Sequence, residues 1–427
     1  MACGGPGPSR PVGGVPLAGG ETNNRPAELY DPGTGTWAMT ASTAENRDAR
    51  RAAVLNSGRV LVLGGEVTAA TPDPDMTTAE AYDPATGTWA TVGPLVEPRR
   101  SGFSLTSLQT GTVLVAGGVL EDGTTVTAGA ELFSSVTNTF VATGDMLEPR
   151  AEHHATILSG GQVLIACGAS DALGASPVLT SERFRPSPGD WLLAAAPPFH
   201  RVEGTFTRLT DGRVLVAGGG DDCASGSGMA NAIYDDVATT WSLLPGLPPQ
   251  GLVRYPATAA LPGGLALVTG GNAPAATTAT TRYDGVTFEE SAPLLLGRSG
   301  HTATLLASGH VLVTGGLGGS ATPTAELLVS LPEGEACTAP EQCDSGHCVE
   351  GICCDQACVA VCEACTQADK GGGEDGVCGP RPFGVVCSTG LCSGTSLQLP
   401  GTCDGGGLCE SPQAEDCAPY FCRNDAC

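Results

Sequence analysis

The stretch GRVLVAGG (residues 212–219) has four near copies along the chain: GRVLVLGG from Gly58, GTVLVAGG from Gly111, GQVLIACG from Gly161 and GHVLVTGG from Gly309. A segment that returns at a steady interval belongs to a repeat, and its period decides the fold. Read outward from the strand, the unit is Arg, a variable strand, G-x-VLV-x-GG, a variable loop, then AE-x-YDP-x-TGTW. Its tryptophan position recurs at Trp37, Trp89, Phe140, Trp191, Trp241 and Phe288, and its double glycine ends at Gly20, Gly65, Gly118, Gly168, Gly219, Gly271 and Gly316. An aromatic precedes the Trp position by seven residues at Tyr30, Tyr82, Phe133, Phe184 and Tyr234, and by five at Tyr283.

Each part has a physical reading. VLV is a continuous apolar, β-branched run, as a strand covered on both faces requires. The glycines allow a left-handed backbone or close approach where that strand ends. The aromatics supply area between neighbouring units, and Asp-Pro with Thr-Gly marks a turn between two strands.

A period near 50 with this strand, glycine and aromatic order resembles the kelch family of β-propellers over roughly residues 14 to 330. The resemblance implies an all-β fold of four-stranded antiparallel blades set radially around a channel. Five units are complete. The first, ending at Trp37, lacks a first strand, and the last, from Arg298, lacks the Trp strand. If those two share one blade the count is six; seven stays open. The expected organisation is a disordered or truncated segment at 1–13, a propeller at 14–332 and a cysteine-rich domain at 333–427.

An arginine stands thirteen residues before the first Val of the strand at Arg47, Arg100, Arg150, Arg201 and Arg298, with Arg254 one place out of register. One per blade at the start of the inner strand makes a basic ring around one channel mouth, a candidate carboxylate subsite. The alternative is internal pairing with the repeated Glu28, Glu80, Glu131, Glu182 and Glu326. The loops 66–78, 169–180 and 220–230 differ in length and chemistry while their flanking strands do not. They share a face with the arginines, so a protein or glycan ligand is expected there.

The resemblance extends to galactose-oxidase-like copper enzymes, which need a Cys–Tyr crosslink, a second tyrosine and two histidines. Here the tyrosines are spent in the repeat and Cys167 replaces a strand-end glycine. His153 and His301 fall three units apart, on opposite sides of a six-blade ring, and two histidines make a poor metal site. No GxSxG, HExxH or P-loop is present. The expectation is a protein with no catalytic constellation, cofactor or metal.

Composition bounds the partners. A net charge of −25 repels phosphate backbones and anionic lipid, so no nucleic acid is expected, and no apolar run reaches the length of a transmembrane segment. Sixteen of the 19 cysteines crowd between Cys337 and Cys427: Cys337, Cys343, Cys348, Cys353, Cys354, Cys358, Cys362, Cys365, Cys378, Cys387, Cys392, Cys403, Cys409, Cys417, Cys422 and Cys427. That density with few large apolar residues reads as a disulfide-stapled, loop-dominated module in an oxidising compartment. CDSGHCVEGICC with the CxxxC and CxxC that follow resembles cysteine-rich modules accompanying kelch repeats in surface proteins of myxobacteria. A disulfide module implies an extracellular or cell-surface protein, yet the start carries no signal sequence. The two reconcile if a leader has been lost by truncation. The expected role is an exported, non-enzymatic binding or adhesion protein, with a carbohydrate-active enzyme and an intracellular adaptor as alternatives.

Overall fold

The computed structural model describes residues 15–18, 27–44, 51–64, 78–198, 202–220, 231–244, 253–272, 275–318 and 324–328. In the C-terminal part it describes 343, 348–354, 358, 363–365, 377–382, 391–393, 396–398, 402–404, 408–410 and 415–416. The chain divides into two compact units, Met1–Leu328 and Val329–Cys427.

The first unit is a six-blade β-propeller. Its inner strands, Arg51–Val54, Ser104–Ser107, His154–Ile157, Val202–Arg208, Ala257–Ala260 and Thr302–Leu305, touch one another in sequence order and define blades I to VI. Blades I to V are four-stranded antiparallel sheets, and the described strands of blade VI are three. The VLV strand is second in every blade. In blades I, III and VI it is Val60–Leu63, Val163–Ala166 and Val311–Thr314, buried along its whole length between neighbouring blades. Burying each such Val or Leu contributes about 1.5–3 kcal/mol.

Spacing in the sequence becomes register in the sheet. Tyr82 pairs directly with Trp89, Phe184 with Trp191 and Tyr234 with Trp241 across the hairpin of the third and fourth strands, with ring centroids 4.9 to 5.2 Å apart. The five-residue spacing of Tyr283 and Phe288 preserves the same pairing around a shorter turn. Directly opposed, tilted aromatics of this kind stabilise a sheet beyond the area they bury.

The seam differs from the sequence expectation. The first and last units do not merge into one blade. Val15–Ala18, Ala27–Asp31 and Thr36–Met39 form a three-stranded sheet of their own, as do the three strands of blade VI. Each brings its own second and third strands, and one blade has room for a single copy of each. Tyr30 and Trp37 of the first of these sheets pack on Leu306 and Leu312 of blade VI, and among the described residues that sheet has no inner strand of its own.

The first glycine of each pair explains a second feature. Gly64, Gly117, Gly218, Gly270 and Gly315 have φ between 56° and 70°, and a Cβ on Gly117 would lie 2.4 Å from the Arg150 carbonyl and 2.8 Å from the His153 ring. In blade III the position holds Cys167, a buried thiol at φ 63°. The register places Gly204 of blade IV where other blades carry Phe103, His153 or His301, the side chains that face the strand-end glycine of the preceding blade.

In the second unit, among the described residues, paired two-residue strands such as Cys348–Val349 with Ile352–Cys353 and Glu363–Ala364 with Gly379–Pro380 are the regular structure around the first disulfides. Cys343–Cys353, Cys354–Cys365 and Cys358–Cys378 are bonded, and Cys403 is also in a disulfide. Cys337, Cys362, Cys387, Cys417, Cys422 and Cys427 lie outside the described residues, as do the side chains of Cys348, Cys392 and Cys409.

Candidate functional site

Strand alternation puts the loops after the second strands and the connections between blades on one face, called upper here. The tight turns lie on the lower face. The upper face carries the arginine positions, and the structure divides them.

Arg150 and Arg298 are fully buried and take the internal-pairing alternative. The Nη1 of Arg150 donates to the carbonyls of Cys167 (3.2 Å) and Thr180 (3.0 Å), and its Nη2 to Glu182 Oε1 at 2.6 Å. Arg298 bonds Gly315, Thr324 and Glu326 in the same way. The glutamate is also an acceptor for the incoming connection: Glu182 takes the N–H groups of Leu147 and Glu148, and Glu326 those of Leu295 and Leu296. One Arg–Glu pair thus ties the strand-end carbonyls, the third strand and the connection together, and these two guanidiniums face no solvent.

Arg100 is not the third member of this set. Arg99, fully buried, donates to Gly117, Gly129 and Glu131, while Arg100 is half-buried on the short strand Arg99–Ser101. Three residues separate Arg99 from Phe103 but two separate Arg150 from the equivalent His153, so counting back from the strand lands one residue late. The tripeptide Glu-Pro-Arg at 97–99 and 148–150 carried the correct alignment. In blade V the pair is replaced at both ends. The Val253 carbonyl accepts the Gly219 N–H as that of Arg150 accepts Gly118, and Thr281 stands in the register of Glu182. Arg254 is the residue after, exposed on the connection. Arg47 and Arg201 lie outside the described residues.

The channel mouth is built by a different set. Just before the inner strand, Gly102, Glu152, Tyr255 and Gly300 all have φ between 51° and 69°. The Glu152 N–H donates to the Gly102 carbonyl (2.8 Å) and the Gly300 N–H to that of Tyr255 (2.9 Å), so the rim is stitched from blade to blade. Glycine adopts this backbone freely, but a residue with a Cβ does so at a cost of about 1–2 kcal/mol. Glu152 and Tyr255 bear that cost and hold their side chains in solvent; Tyr255 is 48% exposed. Arg51, first in the inner strand of blade I, reaches the Phe103 carbonyl of blade II with Nε and lies 3.7 Å from Glu152 of blade III, both side chains solvated. Sequence periodicity missed all three, because it marks what blades share and these residues differ from their equivalents.

The histidines are structural contacts between inner strands. His153 Nε2 bonds Ser104 Oγ at 2.9 Å and His301 Nε2 bonds Thr269 Oγ1 at 2.8 Å, each reaching the preceding blade. Burial and the neighbouring guanidinium hold both imidazoles neutral: His153 sits well below the usual histidine range beside Arg150, and His301 is lowered to about 4 beside Arg298. A lowered folded-state value means the unfolded chain binds the proton first, so stability declines as pH falls from about 6.5 towards 4. The His301 contribution amounts to about 3 kcal/mol. Denaturation midpoints measured between pH 7 and 4 should fall more steeply for the native chain than for His301→Gln; parallel curves would refute the assignment.

No family model matches the chain. No curated protein matches it either. Among solved structures, one described as "Structure of YjhT" superposes with a TM-score of 0.52 at 15% identity, covering 67% of this chain and 95% of that one. A likeness at that identity establishes the propeller fold and carries no activity across. His154 stacks on Phe206 and His310 bonds Ser308, and among the described residues no three metal-ligating side chains converge. His200 lies outside them.

Proposed function

We propose that the protein is an exported, non-enzymatic binding protein that engages a glycan, protein or matrix partner through the upper face of its propeller, centred on the channel mouth. The observation that carries this reading is the rim. Two blades hold Glu152 and Tyr255 in left-handed backbone, with their side chains in solvent, where two others have Gly102 and Gly300. Stability alone favours glycine at all four positions, so the exposed acid and aromatic are maintained against a folding cost. An aromatic with one apolar face and one polar tip, on a rigid rim that also carries a solvated Arg–Glu pair, is suited to anchoring a partner. The disulfides of the second unit support an oxidising, extracellular setting.

Tyr255→Gly separates binding from folding, because glycine fits φ 51° better than tyrosine does. Arrays of glycans and purified matrix proteins should show binding reduced about tenfold or more, as loss of an aromatic anchor implies. Its Tm should be unchanged or higher. A variant that folds and binds like the native chain ends this reading of the mouth.

A further inference from the structure

We infer that the upper face is an interface for a second protein, one that brings an apolar surface carrying lysine and arginine. This rests on the reading of that face as the binding surface.

The connections between blades repeat a two-residue pattern. Thr43, Leu95, Met146, Pro197 and Leu294 are buried, and the residue after each, Ala44, Val96, Leu147, Pro198 and Leu295, is apolar and exposed. Val96, Leu147 and Leu295 are 58%, 57% and 86% exposed. Their backbone is not free to turn them inward. The N–H of Ala44 is held by Glu80, that of Val96 by Glu131, that of Leu147 by Glu182 and that of Leu295 by Glu326. Pro198 has no N–H to give, and blade IV has Ala232 in the register of the glutamate. The carboxylate is thus absent in blade IV, where Pro198 has no N–H to give, and in blade V, where Thr281 takes its place. The result is a set of apolar side chains fixed outward on clamped backbone, which lowers the ordering cost of binding. Such a face, with Tyr255 and Arg51 at its centre, has the composition of a protein interface.

Charge names the partner. On the lower face arginines are matched by aspartates: Arg183 with Asp236, Arg185 with Asp190, Arg213 with Asp211. Among the described residues of the upper face Glu121, Asp122, Asp145, Glu152 and Arg254 are exposed and Arg51 and Arg100 half-buried, and the whole chain is at −25. A second copy would be repelled, whereas a basic partner would be steered towards this face.

The test is a photo-crosslinking residue placed at Val96, Leu147 or Leu295 in the intact chain, with Val136 and Val237 of the lower face, 90% and 95% exposed, as equally accessible controls. Irradiation on cells of the native host should join the three upper positions to one protein, through a peptide rich in Lys and Arg. Aspartate at the other two upper positions should lower that yield at least fivefold. Equal yields from both faces, an acidic partner, attachment to carbohydrate alone or no attachment from the upper face would each overturn the inference. Carbohydrate attachment, with Tyr255→Gly still losing array binding, would reject the protein partner and keep the mouth.

Discussion

Replacing Arg150 with alanine is expected to cost about 3–5 kcal/mol of stability, the loss typical of a buried charge stripped of its partner. Glu182 is completely buried, and its remaining acceptor bonds come from two backbone N–H groups, which do not balance a full charge. The carbonyls of Cys167 and Thr180 lose their donor as well. Blade V supplies a control, since it closes with Val253 and Thr281 in the same two places. The double variant Arg150→Val with Glu182→Thr should therefore recover most of the loss. Urea denaturation of the native chain, the single and the double variant decides it: a single variant within about 1 kcal/mol of native would mean that the pair is not integral to the blade.

Gly117→Ala should be comparably damaging, for steric reasons. The left-handed φ of 61° alone costs about 1–2 kcal/mol, and a Cβ placed 2.4 Å from a backbone oxygen adds overpacking of about 1–3 kcal/mol. Gly315→Ala serves as the comparison, because φ is 70° there and no atom of the described residues lies within 4 Å of the added carbon. The Tm of Gly117→Ala should fall clearly below that of Gly315→Ala. Equal shifts would show that blade contact contributes nothing at this position.

The contrast between these sites shows what was legible in the sequence. VLV, the double glycine and the Tyr–Trp spacing each express a constraint common to all blades, so repetition alone located the strands and their order. The arginine was legible as a repeat but not as a site: a guanidinium at a fixed spacing has the same signature whether it faces ligand or a buried glutamate. A one-residue insertion before Phe103 also moved the reading from Arg99 to Arg100. The mouth residues were hidden for the opposite reason. Glu152 and Tyr255 have no recurring identity, and their significance lies in a backbone angle that neighbouring letters do not specify. The seam was half legible: both partial units were visible, but their independence depends on which strands pair.

The match between Cys167 and Gly204 reaches beyond its own joint. Six copies of any one unit would set like against like, a cysteine side chain against a histidine or a glycine against an empty space. In this ring the two sides of a joint belong to different units: a strand-end glycine meets phenylalanine, proline or histidine, and the strand-end Cys167 stands in the blade before Gly204. Blades III and IV are therefore not interchangeable parts.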